Sequence, residues 1–83
     1  MTKQELFEHR KSVINVMAIP YLGGTAWTVH IFYELNDCII EDFLMTDNGE
    51  KQRIFRNLQS VANFLLRYEI DDFRVLSRNL GRN

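Results

Sequence analysis

This chain predicts an α+β domain: an N-terminal helix, an antiparallel β-meander of three to four strands, and one amphipathic helix packed on the sheet. Three observations carry that expectation. A capping box opens the chain at Thr2-Lys3-Gln4-Glu5, a run alternating at period two occupies residues 25–35, and residues 58–68 divide on a helical wheel into apolar and polar halves. Eighty-three residues with 46% hydrophobic content suit a single domain, residues 1–83, with one small core.

In the capping box the Thr2 hydroxyl and the Glu5 carboxylate each satisfy a free amide, so a helix is expected from about residue 3. Leu6, Val13, Ile14, Val16 and Met17 share one side of its wheel, Glu8, Lys11, Ser12 and Asn15 lie opposite, and Arg10 falls within the apolar side. Beyond Lys11 two readings stand, because Ser12 to Ile19 is rich in β-branched residues and suits a strand as well as more helix. Pro20 and Gly23-Gly24 mark a loop. Thr25 to Leu35 is the clearest strand, with Trp27, Val29, Ile31 and Tyr33 on one face and Thr28, His30, Phe32 and Glu34 on the other. Asn36-Asp37 is a turn, Cys38 to Met45 a returning strand, and Thr46-Asp47-Asn48-Gly49 a second turn. A short third strand is expected at Gln52 to Phe55. Asn57 is a good N-cap for the helix Leu58–Tyr68, whose apolar side is Leu58, Val61, Ala62, Phe64, Leu65, Leu66 and Tyr68. Glu69 to Asp72 reads as a turn, Phe73 to Leu76 as a last strand, and Ser77 to Asn83 as a basic tail.

No residue pattern calls for a cofactor, a metal or a catalytic apparatus. His9 and His30 lack metal-ligand spacing, and the only cysteine, Cys38, can form neither an internal disulfide nor a thiolate cluster. Glu41 and Asp42 are adjacent on a strand and so point to opposite faces, which rules them out as a paired acid and base. Ser12, Ser60 and Ser77 sit in no nucleophile elbow, and Gly23-Gly24 lacks the lysine of a phosphate loop. The expectation is a protein that is not an enzyme. The N-terminus has no apolar signal-like run and no stretch reaches membrane length, so the cytoplasm is the expected compartment and no membrane partner is expected.

Charge is segregated. Glu34 to Glu50 holds six carboxylates and no base, whereas residues 51–83 hold seven bases and three acids, although the whole chain is nearly neutral at −1. Such a dipolar chain suits a charged partner or a second copy of itself. Lys51, Arg53, Arg56, Arg74 and Arg78 are the candidate residues for binding nucleic acid or a protein partner. The simpler reading of them is a solvated rim, and a pI near 6.1 lies far from that of a typical basic DNA-binding domain. Both faces of the 25–45 hairpin are substantially apolar, which points to a homodimer formed through the sheet, with Phe32 and either Ile39 or Ile40 at the interface.

At Trp27-Thr28-Val29, through Thr46-Asp47-Asn48-Gly49-Glu50, then Phe55-Arg56-Asn57-Leu58 with Ala62 and Leu65, and at Asp72-Phe73-Arg74-Val75, the chain resembles a family. These residues, over positions 25–76, look like those of the small plasmid-borne partition accessory, or ParC-like, proteins. Asn57 stands where that pattern has a serine cap, and Arg67-Tyr68-Glu69 where it has glycine. The resemblance implies a non-enzymatic accessory factor of a mobile element acting on DNA segregation proteins. The reading that follows is a non-catalytic accessory protein of a plasmid, phage or integrated element acting by protein–protein contact, with partition or host defence machinery as the partner. A DNA-binding partition or regulatory protein using the basic C-terminal residues is the first alternative. A small inhibitor of a host nuclease defence system, mimicking phosphates with its acidic hairpin, is the second.

Overall fold

The computed structural model describes residues 1–76; the expected tail from Ser77 to Asn83, Arg78 included, lies outside the described residues. The expected α+β architecture is present. In order, the elements are α1 (Lys3–His9), β1 (Val13–Tyr21), β2 (Ala26–Leu35), β3 (Cys38–Phe43), α2 (Leu58–Leu66) and β4 (Arg74–Val75). They build a four-stranded sheet of order β3-β2-β1-β4, in which β1, β2 and β3 form an antiparallel meander and β4 lies parallel to β1.

The capping box is formed in full, with Thr2 Oγ1 accepting from Glu5 N–H and Glu5 Oε1 accepting from Thr2 N–H at 2.9 Å. That bond to the Thr2 backbone, helped by a second to its hydroxyl, holds the Glu5 carboxyl below its ordinary pKa near 4.5. A depressed carboxyl stabilises the fold above its unfolded pKa, and that contribution fades as pH falls through the folded value. The urea-midpoint difference between the native chain and Glu5→Gln is therefore expected to be widest at neutral pH and to close under acid. A gap independent of pH would count against the charged cap.

Helix α1 stops at His9, and a single 3₁₀ turn over Arg10–Ser12 delivers the chain into β1. Of the two readings of residues 12–19, the strand is the one adopted. Val16 and Ala18 alternate inward opposite Ile31 and Val29, a period-two burial that a helix over the same residues would not produce. Arg10, which sat badly on a helical wheel, leaves with the turn; its guanidinium lies 4.2 Å from the Phe7 ring centroid and 3.4 Å from Glu69. Pro20 is tolerated because its missing N–H points toward the β4 side, where pairing has already ended.

Asn36 and Asp37 both take left-handed φ values, 53° and 66°, the backbone of a two-residue type I′ hairpin loop. This loop sets the β2–β3 register at Leu35↔Cys38, and hence Tyr33↔Ile40 and Phe32↔Glu41. The strand expected at Gln52 to Phe55 does not form as such. Leu44 N–H donates to Val29 and Leu44 C=O accepts from Arg53, so residues 45–53 make an excursion away from β2. Phe55 then pairs with Trp27, resuming the ladder that β3 left, and the segment contributes only the isolated bridges Met45↔Gln52 and Trp27↔Phe55. The first residue blocks the outer side of β3 at this point: the Met1 amino group donates to Phe43 C=O and approaches Asp42 at 3.0 Å, while Met1 C=O accepts from Met45 N–H.

Both helices cover the same side of the sheet. Leu6 from α1 and Val61, Phe64 and Leu65 from α2 join Val16, Ala18, Trp27, Val29, Ile31, Tyr33, Leu44 and Phe55 in one core, with Leu58 packed at its margin. Helix α2 begins at Asn57, whose Oδ1 accepts from Ser60 N–H at 2.8 Å. It ends in a Schellman motif: Ile70 N–H donates to Leu65 C=O, Glu69 N–H donates to Leu66 C=O, and Glu69 sits at φ 66°. A left-handed residue with a Cβ is strained where glycine is not. Glu69→Gly is accordingly expected to stabilise the chain by about 0.5–1 kcal/mol, against which the exposed Arg10–Glu69 pair is a small loss. A thermal melt in which the glycine variant is less stable would show that this pair outweighs the backbone strain.

Candidate functional site

The side of the sheet that the helices leave open is the main surface of interest. The register places Asn15, Met17 and Ile19 of β1, Thr28, His30 and Phe32 of β2, and Ile39, Glu41 and Phe43 of β3 on it. An antiparallel face turned to water ordinarily reads polar. Here it does not: Ile39 is 67% exposed and Phe43 41%, with Met17, Ile19 and Phe32 half-buried beside them. The polar groups of its centre are paired with one another. His30 Nδ1 lies 2.7 Å from Glu41 Oε2, and the His30 and Phe43 rings meet edge to face with centroids 4.1 Å apart. Thr28, nearly buried, directs its hydroxyl at Ile19 C=O at 3.5 Å.

The edges of this face differ in charge. Glu34 and Glu41 lie on β2 and β3 at one side, with Asp37 in the loop beyond, whereas Arg74 of β4 shares the face of Met17 at the other. The outer edge of β3 is also open. By the alternation of its ladder, the N–H and C=O groups of Ile39 and Glu41 point away from β2, and among the described residues nothing bonds them.

Of the three residues expected at a dimer interface, the structure puts Phe32 and Ile39 on this face. Ile40 stands opposite Tyr33 on the other side and packs against the core. The expected basic residues are not brought together. Lys51 and Arg53 line a cleft with Asp47, Glu50 and Ile54, and Arg53 Nη2 bonds Asp47 Oδ1 at 2.7 Å. Arg56 is exposed just before the N-cap of α2. Arg74 lies far along the sheet order, beside β1, where it lines a separate cleft of about 380 Å³ with Arg10, Glu69, Asp71 and Asp72. Arg78 is outside the described residues.

The His30–Glu41 pair and Phe43 were not singled out from sequence, because their meeting depends on the hairpin register. The signal was present: a two-residue loop at Asn36-Asp37 makes Leu35 and Cys38 partners, and counting back from them sets His30 opposite Phe43 and Phe32 opposite Glu41. Cys38 is exposed and unpaired at this turn. Among the described residues, no group of three or more His, Cys, Asp and Glu side chains converges as a metal site would require, and no helix is long and apolar enough to cross a membrane.

The fold and this face define a class in physical terms: a small α+β domain with a mixed sheet roofed on one side. A scan against protein-family models matches no family, and searches of curated proteins and of solved structures return no match.

Proposed function

We propose that this chain is a non-catalytic interaction module that works by protein–protein contact, and that the open sheet face joins it to a second copy of itself. The observation that carries the reading is the unroofed apolar face with opposite charges at its two edges. A two-fold axis running along the strands would stack two such faces so that β3 of one copy lies over β4 of the other. That arrangement brings Glu41 on β3 toward Arg74 of the twin, and lays Phe32 over the twin's β1 between Asn15 and Met17. Apolar surface leaves water while the charges meet their opposites, the pattern that favours a specific interface over loose clustering. A closed two-fold dimer is also the commonest form of small oligomer.

The further role, an accessory factor of a mobile element acting on DNA partition proteins, is supported by the resemblance over residues 25–76. Sedimentation equilibrium at micromolar concentration tests the contact. The expected mass is about twice the 9.9 kDa chain, shifting toward monomer as salt is raised. A monomer mass at every concentration and at low salt overturns it.

A further inference from the structure

We propose that the groove between α1 and α2 binds one nucleotide unit of a single-stranded nucleic acid, with the base stacked on Phe7 and the flanking phosphates held by Lys3, Arg53 and Arg67. The groove lies on the helix side of the domain, so it is independent of the sheet face and stays accessible in a sheet-to-sheet dimer. Its volume is about 390 Å³, within the range of small-ligand sites, and its walls are Lys3, Phe7, Arg53, Phe64, Arg67 and Tyr68 with Gln4 at the side. Three cations and three aromatic rings face one cavity, and among the described residues no carboxylate lines it.

Two of the three cations are held in place. Asp47 lies 3.4 Å from Lys3 Nζ and 2.7 Å from Arg53 Nη2, tying α1 to the segment ahead of α2 and offsetting one of the three positive charges. The Arg53 guanidinium lies 5.2 Å from the Phe64 centroid, and its buried Nε has no hydrogen-bond partner among the described residues. A small swing from Asp47 onto a phosphate oxygen would supply that acceptor. Arg67, at the C-cap of α2, is exposed.

The aromatic wall decides the ligand class. Phe7 is 48% exposed on α1. Its ring is steadied by Arg10, whose guanidinium sits over it and whose Nη1 donates to Phe7 C=O at 2.7 Å. A braced, exposed ring beside fixed cations is the pairing that single-stranded nucleic acid uses, bases on π-faces and phosphates on Lys and Arg. An acidic peptide would engage the cations but has no flat group for Phe7. A base inside a duplex is stacked already and cannot reach the ring. The chain carries a net charge of −1; six of its eleven acids lie on the β2–β3 hairpin and the loop after it, Asp47 among them, and Glu5 and Glu8 lie on α1.

Fluorescence anisotropy with a fluorescein-labelled oligothymidylate of about fifteen nucleotides, at about 20 mM salt, tests the site on the full chain. Binding is expected to weaken with salt at a log–log slope of about −1.4, as for the two phosphates that flank one nucleotide of a single strand. Phe7→Ala should weaken oligothymidylate binding at least about fivefold while leaving heparin binding unchanged, because heparin carries charge but no base. Arg67→Glu should weaken both ligands. The two side chains are exposed, and unchanged urea midpoints will show that the variants fold. The proposal is overturned by any of three results: no oligothymidylate binding at low salt, equal affinity for polyglutamate, or indifference to Phe7→Ala.

Discussion

Leu65→Ala is expected to destabilise the domain by about 2–5 kcal/mol. Leu65 is fully buried on α2, within the cluster that includes Val29 and Ile31 of β2. It also closes the Schellman motif, its carbonyl accepting from Ile70 N–H at 3.1 Å, and Ile70 packs against the same core. Truncation removes transfer free energy and leaves a cavity between helix and sheet that neither element can close by moving alone. A domain of this length has a net stability of only roughly 4–8 kcal/mol, so the variant should lose a large share of it. Urea denaturation followed by tryptophan fluorescence is a direct readout, since Trp27 lies in the same core. An unchanged midpoint would mean that α2 does not pack on the sheet through this residue.

Phe32→Lys is expected to convert the proposed sheet-to-sheet dimer to monomer without unfolding the chain. Phe32 is half-buried at the middle of the open face, opposite Glu41 on β3 and Asn15 on β1. A lysine there meets a carboxylate across the β2–β3 ladder, a favourable cross-strand pair, so the isolated subunit tolerates it. Two copies stacked face to face would instead take that ammonium and its carboxylate out of water beside Met17 of the twin, a cost of several kcal/mol per ion that their attraction does not fully repay. The dissociation constant should rise at least about a hundredfold. Ile39→Lys, at a position 67% exposed, should act in the same direction. Light scattering at micromolar concentration that gives the same dimer mass for Phe32→Lys would place the contact elsewhere.

Much of the fold was legible in the residues because local rules decided it. The capping box at Thr2 and Glu5, the alternation of Trp27, Val29, Ile31 and Tyr33, the Asn36-Asp37 turn, and the Asn57 cap before α2 all formed as their chemistry requires. Each depends on hydrogen bonds or burial within a few residues, so the competing structures are few. Residues 12–19 were ambiguous because β-branched side chains tolerate both helix and strand, and only the exposed edge of β2 made the strand the better use of their backbone groups.

The candidate surfaces depend on separations too long for such rules. Whether Phe32 is covered depends on both helices docking on the opposite side, and His30 meets Glu41 only through strand register. Lys3 joins Arg53 and Arg67 because Asp47 and the α1–α2 packing bring together residues some fifty positions apart, whereas Arg53 and Arg74, both basic and both C-terminal, end in different clefts. The sequence by itself determined the two capped helices, the 25–35 strand and its hairpin turn, and which face of each is apolar, since those follow from local periodicity and caps. Which apolar face is left bare, and which charges share a cavity, was decided by tertiary structure, because helix docking and strand order are settled by contacts between residues far apart in the chain.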